Sequence, residues 1–365
     1  MSKEFDIINF LKSAVLSGAS DEHIKIGHAP FIRKNGFIRK TNLPVLTKED
    51  LDKALTQILP EKIKNNLSEF LDIDFMFEIK GVSRFRVNYN RQLGLPALVI
   101  RNIPYKIPNL ESLSLPKTLN DIVKYQNGII LVTGPTGSGK STTLASLIHE
   151  ISLTSAKHII TIEDPIEYVF ACNKSIVSQR QVGVDTKTFF DGIKYALRQD
   201  PDVVYIGEIR DKETMAAALK ASETGHLVFS TLHTNDAVQT INRIINMFEE
   251  SQRDIVRKQL SETLRATIAQ KLVYSETNQK RYPACEIMVV TPTIKDYINK
   301  NNIEEIYNLL QDNSFDNMMS LNESLIELVS KELITKEEAL NNSNDPNELE
   351  KLLRGVYQGS KAYYE

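Results

Sequence analysis

Cysteine is scarce in this sequence of 365 residues, which contains only Cys172 and Cys285. The two lie far apart and form no C-x-x-C pair, so the sequence indicates neither a zinc ribbon nor a disulfide framework, and it fits a reducing compartment. Positive charge is not in excess either, because 44 Lys and Arg residues face 47 Asp and Glu residues. Proteins whose main partner is nucleic acid usually carry a basic field, so we expect no nucleic-acid partner.

Long apolar runs are missing as well. The opening segment MSKEFDIINFLKSAVL carries acidic residues and no continuous apolar stretch, so we expect no secretory signal. No run approaches the length that spans a bilayer, and we expect a cytoplasmic protein that reaches a membrane only through a partner. Hydrophobic content of 41% with 25% charged residues is ordinary for a globular chain. The length predicts two domains.

The chain contains blocks with different patterns. Residues 1–104 combine a helical opening with strand-like stretches at 30–39, 72–79, 83–88 and 97–103. Pro104, Pro108 and Pro116 predict an extended linker over residues 105–117. In residues 118–292 strands and helices alternate, which predicts a mostly parallel sheet covered by helices, and residues 293–365 are predicted to be helical. One long amphipathic helix is predicted over 255–272. The fold class is therefore α/β.

The segment GPTGSGKST fits the pattern G-x-x-x-x-G-K-[ST], with a predicted strand before it and a predicted helix after it. Such a loop wraps backbone N–H groups around phosphate oxygens at a helix N-terminus. Lys140 would reach the outer phosphates, and the Ser141 hydroxyl would hold Mg²⁺. The predicted nucleotide-binding residues are Gly134, Pro135, Thr136, Gly137, Ser138, Gly139, Lys140, Ser141 and Thr142.

Three further polar residues follow predicted strands of the same sheet. Glu163, in IITIEDPIE, is placed to orient or deprotonate an attacking water, or alternatively belongs to an acidic pair at a solvated turn. Glu208, in DVVYIGEIRD, is the first carboxylate after its strand, and either holds Mg²⁺ through water or is an exposed strand-end acid. His233, in STLHTN, would suit a γ-phosphate sensor, or is a structural histidine.

Arginines stand out in the first block, where Arg84, Arg86, Arg91 and Arg101 occur. An arginine brought to the γ-phosphate from another domain neutralises charge in the transition state. The alternative is a solvated basic strand face.

Together these segments resemble the secretion and type IV pilus ATPase superfamily. The resemblance covers almost the whole chain, in GASDEHI, RFRVN, ALVIRNIP, GPTGSGKSTTLA, IITIEDPIEY, LRQDPDVVYIGEIRD, ETGHLVFSTLHTN and ACEIM. It implies an N-terminal PAS-like α+β domain, then a RecA-like P-loop domain and C-terminal helices. It also implies ATP hydrolysis with Mg²⁺, Glu163 as general base, Glu208 supporting Mg²⁺ and His233 contacting phosphate. Arg86 and Arg101 look like the pair that the N-terminal domain delivers.

Within this superfamily, the absence of a four-cysteine insert and the early SGASDEHI segment favour the pilus retraction branch. That branch implies a homohexamer, peripheral at the inner face of the cytoplasmic membrane, that acts on a pilin filament indirectly through an inner-membrane platform protein. The alternatives are a pilus extension or type II secretion ATPase and, from a different class, a non-motor ATP-dependent switch. Two departures from the family pattern are Lys194, where an arginine is usual, and the segment TIKDYINK at 293–300.

Overall fold

The computed structural model describes residues 5–311 and 317–355 and has a mixed α/β architecture. The chain divides into two compact units. The first contains Met1–Lys106 with Glu167–Val169, and the second contains Ile107–Ile166 with Phe170–Glu365. No helix in the described part of the chain is both long enough and apolar enough to span a membrane.

The first unit is built on one antiparallel sheet of six strands: β1 (Asp21–Lys25), β2 (Phe31–Lys34), β3 (Phe37–Lys40), β4 (Asp72–Ile79), β5 (Ser83–Gln92) and β6 (Leu95–Ile103). Their spatial order is β3-β2-β1-β6-β5-β4. Its helices are α1 (Ile7–Ser17), α2 (Lys48–Ile58) and α3 (Glu61–Lys64).

One face of this sheet forms the core of the first unit. Along β5 buried and half-buried residues alternate, so Phe85 and Val87 are buried while Arg84 and Arg86 point to the opposite face, as the alternation predicts. Leu11 of α1 and Leu51 of α2 are fully buried in the same apolar cluster. The arginines therefore lie on the face of the sheet that the helices leave uncovered.

The second unit is built on a sheet of seven strands: β7 (Gly128–Thr133), β8 (His158–Glu163), β9 (Ile176–Gln181), β10 (Val203–Ile206), β11 (Leu227–Leu232), β12 (Leu264–Ser275) and β13 (Lys280–Val289). The order is β13-β12-β7-β11-β10-β8-β9, and every neighbouring pair is parallel except β12 with β13. The prediction of a mostly parallel sheet is confirmed. The carboxyl ends of β7, β8, β10 and β11 meet at one edge, where open α/β sheets bind ligands.

Helices flank this sheet and continue beyond it: α4 (Leu119–Ile122), α5 (Lys140–Thr154), α6 (Phe189–Ala196), α7 (Lys212–Glu223), α8 (Ala237–Asn246), α9 (Glu250–Thr263), α10 (Pro292–Asn299), α11 (Glu305–Gln311), α12 (Leu321–Ser330), α13 (Lys336–Asn342) and α14 (Pro346–Leu353). The helical character predicted for 293–365 is confirmed in its described part. Thr335 and Glu338 form the capping box that begins α13, and Asp345 caps α14.

The prediction of one helix over 255–272 is wrong in its second half. Helix α9 ends at Thr263, and β12 begins at Leu264. The apolar residues Leu264, Ile268 and Leu272 recur every four residues, and this spacing keeps side chains on one face of a helix and also on one face of a strand. Strand β12 is buried on both faces along most of its length, so no alternation distinguishes it.

Two smaller differences concern loops. The single stretch predicted at 30–39 is a hairpin, because Asn35 (φ 53°) and Gly36 (φ 91°) turn the chain between β2 and β3. The linker over 105–117 is not extended throughout, because Glu111–Leu113 form a short 3-10 helix, and Ile107 and Leu110 are buried. Strands β1, β9 and β13 were not predicted, because their apolar residues are too few or too evenly mixed to show a period.

Candidate active site

The loop between β7 and α5 turns tightly at its glycines. Gly134 (φ 141°), Gly137 (φ 80°) and Gly139 (φ 89°) all have positive φ, which glycine adopts without steric cost. A Cβ at Gly134 would lie 2.3 Å from the carbonyl oxygen of Gln270, so no other residue fits there. Backbone N–H groups in such a loop form a concavity suited to anions.

Lys140 is the first residue of α5, and its side chain reaches back to the start of the loop that precedes the helix. Its Nζ donates hydrogen bonds to the carbonyl oxygens of Gly134 (2.8 Å) and Pro135 (2.9 Å), and the residue is buried. Ser141 and Thr142 follow in the first turn, where the helix N-terminus carries favourable partial charge for anions. The ammonium group is therefore held at the loop.

Glu163 ends β8 and is 4% exposed. Its Oε1 accepts hydrogen bonds from Thr161 Oγ1 (2.7 Å) and from Gln179 Nε2 (3.2 Å). Asp164, the next residue, is exposed. The alternative of an acid at a solvated turn fits Asp164 but is wrong for Glu163, whose carboxylate is buried and oriented by two side chains.

Glu208 lies two residues beyond the end of β10, and its side chain is 16% exposed. Arg210 Nη2 lies 2.5 Å from Oε1, and His233 Nε2 lies 3.7 Å from Oε2. An exposed strand-end acid, the alternative for Glu208, is therefore wrong. His233 is half exposed, and the structure brings it to Glu208 across the ends of β10 and β11.

Backbone and hydroxyl contacts hold these strand ends together. The N–H of Gly207 donates a hydrogen bond to the carbonyl oxygen of Ile162 (2.8 Å), and Thr231 Oγ1 donates one to the carbonyl oxygen of Gly207 (2.9 Å). Strands β7, β11, β10 and β8 are consecutive in the sheet, so His233, Glu208 and Glu163 lie at the ends of three successive strands on one side of β7, the strand that leads into the loop. The four segments singled out in the sequence converge on one sheet edge.

Sequence reasoning missed three residues at this edge. Gln179 comes from the unpredicted strand β9, and Arg210 was not distinguished from other charged residues near Glu208. Gln270 contacts the glycine-rich loop from β12 and lay inside the segment read as helix. The one sequence feature that could have pointed to Gln270 is its amide side chain within an otherwise largely apolar segment.

Arg86 and Arg101 belong to the first unit. They are directly opposite each other on β5 and β6, on the face of that sheet opposite α1 and α2. Arg101 Nε lies 2.9 Å from Asp21 Oδ1, and Arg86 Nη2 lies 3.3 Å from Asp74 Oδ2. Their side chains are 52% and 32% exposed, so both guanidinium groups are paired and still accessible to solvent.

Relatives of this chain are known. The family model described as type II/IV secretion system protein matches residues 72–358. The type IV pilus retraction ATPase PilT of Pseudomonas aeruginosa is 41% identical over 93% of this chain and 99% of its own length. A twitching motility protein of Neisseria gonorrhoeae is 40% identical over 92% of this chain and 90% of its own length.

A solved structure is similar as well. The crystal structure of the pilus retraction motor PilT with bound ADP is 45% identical in sequence to this chain and has a TM-score of 0.85. The match covers 95% of this chain and 100% of the PilT chain. The similarity to these proteins, in sequence and in structure, therefore extends over nearly the entire chain. The chain belongs to the family of type II/IV secretion system proteins.

Proposed function

We propose that this chain is a Mg²⁺-dependent ATPase that works as one subunit of a hexameric motor for type IV pilus retraction. The observation that carries the proposal is the convergence of the Lys140 loop, Glu163, Glu208 and His233 on one sheet edge. It occurs in a chain similar over nearly its whole length to a pilus retraction ATPase. The domains we propose are a PAS-like domain over 1–104, a linker over 105–117, a RecA-like core over 118–292 and a helical region over 293–365.

The loop fits the phosphates of a nucleotide. Ser138 Oγ is buried and has no hydrogen-bond partner among the described residues, so a phosphate oxygen would satisfy it. The ammonium of Lys140 and the N-terminus of α5 add positive charge at the same place. We assign nucleotide binding to the loop residues from Gly134 to Thr142.

The residues also fit Mg²⁺. No group of three or more acidic, histidine or cysteine side chains that could cage a metal occurs in the described part of the chain. Mg²⁺ in nucleotide sites needs no such cage, because phosphate oxygens and water supply most of its ligands. The Ser141 hydroxyl and, through water, the Glu208 carboxylate would hold it, and the ion would neutralise charge on the phosphates.

Glu163 has the position of a general base. Thr161 and Gln179 hold its carboxylate at the end of β8, and burial shields it from bulk solvent. We infer that it accepts the proton of the water that attacks the γ-phosphorus. His233, 3.7 Å from Glu208, would contact the γ-phosphate and report its loss to the loop between β11 and α8.

The direction of filament movement is tested in cells. We expect deletion of the gene to give hyperpiliated cells without twitching motility, restored by the wild-type gene and not by Glu163→Gln. Bald cells would mean that the chain extends pili, and loss of secretion with normal pili would mean a type II secretion ATPase. A purified chain that binds ATP without turnover in Mg²⁺ would indicate a switch instead of a motor.

A further inference from the structure

Gln270 connects the central part of β12 to both ends of the glycine-rich loop. The residue is 3% exposed. Its Nε2 donates a 2.7 Å hydrogen bond to the carbonyl oxygen of Ser138, and its Oε1 accepts a 2.7 Å hydrogen bond from Thr143 Oγ1 in α5. The orientation of the amide follows from the partners, because a carbonyl oxygen only accepts and a hydroxyl can donate.

The bond to Ser138 has a consequence for the next residue. A trans peptide is planar, and its C=O and N–H point in opposite directions. Since Gln270 holds the Ser138 carbonyl toward β12, the N–H of Gly139 points away from β12. Gly139 is the N-cap residue of α5, where free N–H groups gather at the anion-binding end of the helix. One side chain therefore fixes the direction of one phosphate-facing donor.

The loop is pressed against β12 at the same point. A Cβ at Gly134 would lie 2.3 Å from the backbone oxygen of Gln270, and a Cβ at Gly139 would lie 2.8 Å from its Nε2. Both ends of the loop thus touch one residue. The Thr143 hydroxyl holds the amide in place from the first turns of α5, so loop, helix and strand share a single buried contact.

We propose that Gln270 is a positioning residue that keeps the loop in its nucleotide-binding form by fixing the Ser138–Gly139 peptide. The inference rests on the proposed function of the loop. It assigns Gln270 no contact with the nucleotide. Its effect is to set the direction of backbone donors before the nucleotide arrives, which lowers the ordering that binding requires.

The test compares Gln270→Met with the wild-type chain. Methionine keeps the length of the side chain and removes both hydrogen bonds. We expect the dissociation constant for ADP, measured by calorimetry with Mg²⁺, to rise about 10-fold. The KM for ATP should rise by a similar factor with a smaller change in kcat, because a preorganised loop binds ground state and transition state alike.

Thr267→Val is the matched control on the same strand. Thr267 is fully buried, and its Oγ1 has no hydrogen-bond partner among the described residues. Its loss removes a buried hydroxyl from β12 without touching the loop, so ADP affinity should stay at the wild-type value. An equal loss of affinity in Thr267→Val and Gln270→Met would show a general weakening of the strand and overturn the inference.

A second pair keeps the proposal testable if Gln270→Met fails to fold. Thr143→Val releases the amide of Gln270, and Thr143→Ser keeps the hydroxyl that holds it. We expect weaker ADP binding in the first variant and near wild-type binding in the second. Wild-type affinity in a folded Gln270→Met, or in Thr143→Val, contradicts the positioning role. Failure of the wild-type chain itself to bind ADP would instead refute the proposed function.

Discussion

Single side chains at the sheet edge separate nucleotide binding from hydrolysis. Lys140 is held at the loop, whereas Glu163 is held at the end of a different strand. We expect Lys140→Ala to lose nearly all nucleotide binding. Glu163→Gln should bind ATP and lower turnover by about 10²- to 10⁴-fold, because the amide keeps the shape but accepts no proton. Calorimetry with ATP and a steady-state phosphate-release assay measure the two effects, and normal turnover in Glu163→Gln would remove Glu163 from the mechanism.

Glu22 in β1 is a buried carboxyl with a pH-dependent effect on stability. Burial raises its pKa to about 8, while a hydrogen bond from Asn102 opposes the rise. Between pH 4.5 and 8 the unfolded chain loses this proton and the folded chain keeps it, so stability falls as pH rises through that window. The loss amounts to at most about 1.4 kcal/mol per pH unit.

Glu22→Gln removes this titration. We expect the variant to match the wild type near pH 4.5 and to be more stable at pH 9, as measured by urea unfolding at both values. The exposed Glu69→Gln serves as control and should leave the difference between the two pH values unchanged. If Glu22→Gln shows the wild-type pH dependence, the loss of stability with pH arises elsewhere.

At the scale of elements, α6 packs closely on β8 because Gly192 has no side chain. A Cβ there would lie 2.7 Å from Ile162 Cγ2, in the strand that ends at Glu163. Gly192→Ala gains about 1 kcal/mol of helix propensity and loses about 1–3 kcal/mol to overpacking. We expect a net destabilisation of about 1 kcal/mol by urea unfolding.

A double variant tests the origin of that loss. Ile162→Ala opens the space that the new methyl group needs, so Gly192→Ala should no longer destabilise in that background. A coupling of more than about 0.5 kcal/mol is expected for residues in contact. Additive effects would mean that α6 shifts away from β8 without resistance from Ile162.

The sequence predicted elements where one period was clear. The strand-like stretches predicted at 72–79, 83–88 and 97–103 are strands β4, β5 and β6, and their ends agree within a few residues. Strand β12 was not predicted, because apolar residues spaced four apart lie on one face of a helix and also on one face of a strand. That error concealed Gln270.

The candidate site was predicted more completely than its surroundings. Motif residues carry their own signal, and parallel strands bring them to one edge. Their supporting contacts depend on residues far away in the chain: Gln179 is 16 positions from Glu163, and Gln270 is 132 positions from Ser138. A single sequence gives no means of pairing such distant residues before the fold is known.

At the scale of the whole molecule, the arginines of the first unit need an explanation beyond solvation. Arg86 and Arg101 are directly opposite each other, and like charges in such a pair destabilise a sheet. Asp74 and Asp21 offset this charge. Asp21 is 7% exposed and contacts Arg101 through Nε, at the base of a guanidinium that stays half exposed. This arrangement fits arginines that act on a phosphate brought to them in an assembly.

If the pair completes the active site in a hexamer, Arg86→Ala and Arg101→Ala should each lower ATP turnover by roughly 10³-fold, the range for loss of an arginine that stabilises the transition state. ATP affinity should fall much less, because the loop at Lys140 supplies most ground-state contacts. Steady-state assays and calorimetry measure both quantities. Light scattering on the same samples reports whether the variants keep the oligomer of the wild type.

Arg91→Ala is the control, since Arg91 lies on β5, the strand of Arg86, is exposed, and donates a hydrogen bond to Tyr89 OH at 3.4 Å. It should keep wild-type turnover. A solvated strand face predicts a different result: alanine at 86 or 101 would cost at most about 1 kcal/mol of stability and leave catalysis intact. Near wild-type turnover in both variants would mean that neither arginine stabilises the transition state, and a monomer with full ATPase activity would mean that each chain hydrolyses ATP alone. The first unit would then need another link to hydrolysis.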